Sequence, residues 1–98
     1  MQKPETLFRH KVDRLLKTIP NSWWESIQQR AIKGSPDKIG CVNGLFVALE
    51  LKTAKGKLSE LQAHKMELIK VAGGIAVCLR PDNLDETIQY LIRLATEM

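Results

Sequence analysis

The chain has few aromatic residues, only two cysteines and no long apolar run, and each shortage narrows what the protein can be. Two tryptophans, two phenylalanines and one tyrosine in 98 residues mean that a core must be aliphatic. No apolar run approaches the roughly 20 residues of a membrane-spanning helix. The N-terminal MQKPETLFRHK also lacks the apolar centre of a signal peptide. The expectation is an intracellular, cytoplasmic protein with no membrane partner. Cys41 and Cys78 are too few for a zinc site and too far apart for a redox pair; both sit among apolar residues and read as buried free thiols. His10 and His64 match no metal-ligand spacing and read as surface residues.

What is present is the balance of an ordinary folded domain, 44% hydrophobic and 27% charged, which excludes disordered and fibrous classes. The length suits a single domain over residues 1–98. A net charge of +4 suits an anionic partner.

Apolar residues at Leu7, Phe8, Val12, Leu15, Leu16 and Ile19 recur at spacings of three and four, which predicts a helix from Pro4 to about Ile19. Pro20 and Asn21 stop it. Ser22 to Ile32 fits a strand with Trp23, Glu25 and Ile27 on one side, and is also readable as a short helix; at least one of Trp23 and Trp24 is expected in the core. Lys38–Val42 and Leu45–Thr53 flank Asn43-Gly44, the strongest short hairpin signal. A helix then runs from Leu58 to Ala72, closed by Gly73-Gly74. Ile75–Leu79 is a continuous apolar strand of the kind buried on both faces, and Leu84 to Thr96 forms a last helix. The fold class is therefore α/β, a mixed sheet flanked by helices in the order α-β-β-β-α-β-α.

Within this frame SPDKIGCVNGLFVALELK, residues 35–52, sets Asp37, Glu50 and Lys52 in a largely apolar stretch. An unpaired buried charge costs several kcal/mol or loses its ionisation. Side chains alternate along a strand, so Glu50 and Lys52 share a face while Leu51 points away. A hairpin through Asn43-Gly44 brings the arm that begins at Asp37 alongside Glu50, at a separation set by the register. Two carboxylates and a backbone carbonyl, that of Leu51, form a hard oxygen site suited to Mg²⁺ or Mn²⁺. Such an ion acidifies bound water, and Lys52 would orient or deprotonate that water or stabilise charge on a phosphate. The set describes phosphodiester hydrolysis.

Pro36-Asp37, about a dozen residues, then Glu50-Leu51-Lys52 resembles the core of the PD-(D/E)XK nucleases. The longer stretch GSPDKIGCVNGLFVALELKTAKGKLSELQAHKMELIKVAGGIAVCLR, residues 34–80, is similar to their VRR-NUC branch: a glycine before the PD, an E-x-K strand, a Gly-Lys loop, a helical Gln and a Gly-rich approach to the last strand. The resemblance implies a restriction-endonuclease-like fold and a Mg²⁺- or Mn²⁺-dependent DNA endonuclease. It implies metal ligation by Asp37 and Glu50, catalysis by Lys52 and a place near the active site for Gln62. Glu5 corresponds by position to a glutamate that such enzymes often carry on the first helix near the metal. Lys33, Lys38, Lys55 and Lys57 flank these residues and are candidates for binding DNA phosphates.

A chain this short leaves no room for a separate sequence-reading domain, so selectivity for junctions, flaps or branched DNA is expected, with a homodimer supplying two sites for two strands. Two other classes fit part of the pattern. A non-cleaving nucleic-acid-binding module of the same fold would use the basic surface, and an interaction domain would use the three charges as a structural ion-pair cluster.

Overall fold

In the computed structural model, which describes residues 3–27 and 34–97, seven elements follow the expected order. They are α1 (Pro4–Leu16), β1 (Ser22–Ser26), β2 (Lys38–Val42), β3 (Leu45–Leu51), α2 (Glu60–Val71), β4 (Ile75–Leu79) and α3 (Leu84–Thr96). The strands form one mixed sheet in the order β1-β2-β3-β4. The first three are antiparallel neighbours, and β4 runs parallel to β3 after the α2 crossover.

One sheet face carries Val42, Val47, Leu49 and Leu79, which pack against Val12, Leu16 and Ile19 from α1 and its exit and against Leu84, Ile88, Leu91 and Ala95 from α3. This is the aliphatic core that the scarcity of aromatics requires. Trp24 packs at its margin while Trp23 stands 58% exposed. Gly40 lies under the Trp24 indole: a Cβ there would come within 2.3 Å of the ring, so the strand needs glycine at this point. On the opposite face α2 lies over β4 and reaches β3 through the Gln62–Glu50 hydrogen bond, and Gly74 fits beneath Ile69 and beside Phe46.

Three expectations are corrected. β4 is covered on both faces, but it is an edge strand and most of its residues are only half-buried. Cys41 is exposed and Cys78 half-buried: both alternate onto the α2 face, where Cys41 on β2 lies away from the helix and Cys78 on β4 is partly covered by it. α2 begins two residues later than its apolar pattern suggests, because Ser59 caps it. The C-terminal part of the first expected strand, residues 28–32, lies outside the described residues. Among the described residues no helix is long and apolar enough to cross a membrane.

The hairpin register decides how the charged residues meet. Asn43 and Gly44 take φ values of 49° and 84°, a two-residue turn that only residues tolerant of the left-handed region adopt readily. It pairs Val42 with Leu45 and Lys38 with Leu49. One further step of the same ladder sets Asp37 opposite Glu50.

Candidate active site

Asp37 and Glu50 meet on the sheet face that bears α2. The Asp37 backbone is fixed by Ile27, whose N–H donates to the Asp37 carbonyl at 2.9 Å. Its side chain is fixed by the N–H of Leu51, which donates to Asp37 Oδ2 at 2.8 Å. The Leu51 carbonyl lies on the same side of the strand as that N–H, so it opens toward the two carboxyls.

Glu50 is 4% exposed. Burial pushes its carboxyl up to about 8, assisted by a hydrogen bond with Asp37 and by the Asp37 charge, against smaller opposing effects of Lys52 and Arg9. With its carboxyl pushed that high, Glu50 keeps its proton at neutral pH. Gln62 orients the pair: its Nε2 donates to Glu50 Oε1 at 3.0 Å, while its Oε1 accepts from the Ser59 N–H at 2.8 Å. The Ser59 hydroxyl accepts from the Gln62 N–H, completing a capping box. The device that starts α2 thus also aims an amide at Glu50.

Lys52 follows Glu50 on the same face and contributes positive charge to it. Its alkyl stem lies against Gly56, in the loop that carries the exposed Lys55 and Lys57. That loop is tied to the end of β4 by Arg80, whose Nη1 donates to the carbonyls of Thr53 and Gly56. Asn83 holds Arg80 in turn, accepting from its N–H at 2.8 Å and donating to the Cys78 carbonyl at 2.9 Å. Cys78 itself is the ladder partner of Glu50. Burial raises its thiol pKa, which disfavours the thiolate.

Two expected site residues are placed elsewhere. Lys38 is 2% exposed on the core face, where its ammonium pairs with Asp13 at 2.5 Å and donates to Ser26 Oγ at 2.7 Å. It serves the fold and is not available to a phosphate. Strand alternation carries the reason, since the residue after Asp37 must point to the opposite face. A cavity of about 430 Å³ between α1 and β1 includes Lys38, Asp13 and Trp24 in its lining and contains neither Asp37 nor Glu50. Glu5 is exposed at the start of α1. Among the described residues no group of three or more His, Cys, Asp or Glu side chains could hold a metal ion, so Glu5 does not complete a triad with Asp37 and Glu50. Lys33 lies outside the described residues.

The side chain that α1 does bring to the site is Arg9, whose Nη2 stands 4.0 Å from Asp37 Oδ1. Nothing in the sequence around Arg9 marks it, because its meeting with Asp37 depends on how α1 packs. Arg80 and Asn83 are likewise additions; the short spacing from Arg80 to Asn83 across a Pro-Asp turn is the trace they leave in sequence. No protein-family model, curated protein or solved structure matches the chain.

Proposed function

We propose that the protein is a Mg²⁺- or Mn²⁺-dependent nuclease of the PD-(D/E)XK kind, with a restriction-endonuclease-like fold, that hydrolyses phosphodiester bonds in DNA. The observation that carries the proposal is the meeting of Asp37 with Glu50. The two carboxyls, one from the residue just before β2 and one from β3, stand close enough for Asp37 to act on Glu50, and the ion pair that the described residues show at the two is that of Arg9 with Asp37, at 4.0 Å. Carboxyls assembled for stability are paired with cations, as Asp13 is with Lys38. Asp37 and Glu50 instead stand together, and Glu50 keeps its proton at neutral pH, which suits a pair whose partner is a dissociable cation.

The donors fit that partner. Asp37, Glu50 and the Leu51 carbonyl are hard oxygens of the type Mg²⁺ and Mn²⁺ prefer. When bound, the ion supplies Lewis acidity and neutralises charge at the phosphodiester. The chain's own residues do the rest. The Leu51 N–H and Gln62 Nε2 hold the two carboxyls in fixed orientations. Lys52, which acts electrostatically on Glu50, would place positive charge where negative charge develops on the phosphate, and its amine would orient or deprotonate the attacking water. Lys55 and Lys57, on the loop that Arg80 clamps, are suited to the flanking phosphates.

Junctions, flaps or branched DNA are the substrates proposed, and a homodimer would present two sites to two strands. One assay tests both activity and selectivity: linear duplex, single strand, flap and four-way junction are each incubated with the protein in Mg²⁺, in Mn²⁺ and in EDTA. Metal-dependent cleavage strongest on a branched substrate is expected. Binding without cleavage in any metal would leave the non-cleaving module of the same fold as the better description.

A further inference from the structure

We propose that Arg9 is a substrate-binding residue of this site, whose guanidinium takes the non-bridging oxygens of the phosphate on which Asp37, Glu50 and Lys52 act. The inference rests on the nuclease proposal and adds to it a contact delivered by α1.

Three observations carry it. First, Arg9 Nη2 lies 4.0 Å from Asp37 Oδ1, a loose ion pair too long for a hydrogen bond, so the guanidinium stands beside the carboxylate with its donors not taken up by it. Second, Asp37 Oδ2 is already engaged by the Leu51 N–H, which makes Oδ1 the oxygen on the open side of the pair, and Arg9 sits at that opening. Third, the Arg9 side chain is 45% exposed, and among the described residues no hydrogen bond occupies its donors. A planar guanidinium with free N–H groups matches two oxygens of a phosphate, which a lysine in the same place would not do.

Arg9 and Lys52 come from different elements, the helix α1 and the end of β3, and both act electrostatically on Glu50. A phosphate above the carboxyl pair would therefore lie between two cations. Arg9 also supplies what Glu5, exposed one helical turn before it, does not: a functional group from α1 at the carboxyl pair. A merely structural role, in which Arg9 only neutralises Asp37, makes a different prediction, because removing it would then alter stability and leave DNA affinity unchanged.

The test measures binding of a fluorescein-labelled four-way junction by anisotropy in EDTA, where no cleavage occurs, for wild type, Arg9→Ala and Arg9→Lys at several salt concentrations. Loss of one phosphate contact is expected to weaken Arg9→Ala about tenfold and to reduce its salt slope by about 0.9, with Arg9→Lys recovering the slope but only part of the affinity. Cleavage in Mg²⁺ is followed in parallel, and KM is expected to rise in Arg9→Ala. If the wild type cleaves and Arg9→Ala matches it in affinity, salt slope and KM, the inference alone is overturned. If the wild type neither binds DNA nor cleaves it, the nuclease proposal and the inference fall together.

Discussion

Glu50 and Lys38 lie on neighbouring strands, both nearly inaccessible, and illustrate two ways of keeping a charged residue inside a small fold. Lys38 keeps its charge by pairing with Asp13 and Ser26. Glu50 gives its charge up. Its ordinary value of 4.5 is pushed to about 8, so the folded protein holds a proton that the unfolded chain releases between those values. The contribution of this group to stability is therefore complete below about pH 4.5 and is lost as pH rises through about 8. Urea unfolding between about pH 5 and pH 8 should show wild type losing stability relative to Glu50→Gln, which keeps an oxygen for Gln62 Nε2. Parallel profiles would mean that Glu50 titrates normally. For the other pair, Asp13→Ala should destabilise more than Lys38→Met, by as much as about 3 kcal/mol, because it strands a buried ammonium. The reverse ranking in thermal melts would contradict the assigned role of Lys38.

Asp37, Glu50 and Lys52 were legible in the sequence because alternation along a strand and a two-residue turn suffice to place them. Lys38 was misjudged although the same alternation, applied one residue after Asp37, puts it on the core face. Arg9 was not legible at all, since an arginine on an amphipathic helix is ordinary until the helix is docked. Gln62 stands at an intermediate point. Its position came from resemblance, while the capping box Ser59-x-x-Gln62 was readable in the sequence and would have set the start of α2 at Glu60.

At the scale of elements, the turn between β2 and β3 does more than close a hairpin. Asn43 Nδ2 donates to the carbonyls of Leu94 and Glu97 at the end of α3, at 3.1 and 2.7 Å, and Asn43 Oδ1 accepts from Asn21 Nδ2 at 3.0 Å. The Asn43 N–H donates to the Asn21 carbonyl at 2.9 Å, which joins the turn to the start of β1. One residue thus sets the register that aligns Asp37 with Glu50 and anchors the last helix. Asn43→Asp retains the tolerance for positive φ, loses both donors to α3 and adds negative charge at a helix C-terminus. A loss of about 1–2 kcal/mol in urea unfolding is expected. A variant as stable as wild type would show that these bonds contribute nothing net. The order and kind of the elements were legible from period and turn chemistry. The boundaries were less so: β3 stops at Leu51 and not Thr53, because Thr53 joins the loop that Arg80 clamps.

For the molecule as a whole, the sheet order and the helices divide the labour between its two faces. The face against α1 and α3 holds the aliphatic core, and the face against α2 gathers Asp37, Glu50, Lys52 and Gln62 near the ends of the strands. Mixed pairing makes this possible, since an antiparallel hairpin delivers Asp37 to Glu50 and a parallel crossover returns Gln62 to them on α2. The measurement that bears most directly on the account is nicking of supercoiled plasmid in Mg²⁺ by wild type and by Asp37→Asn. Asparagine is chosen because its side-chain oxygen can still accept the Leu51 N–H bond, which alanine would abolish. The prediction is cleavage by the wild type and a rate lower by on the order of 10³-fold in the variant, with an unchanged or higher melting temperature. Equal rates for the two proteins, or no cleavage by either, would contradict it.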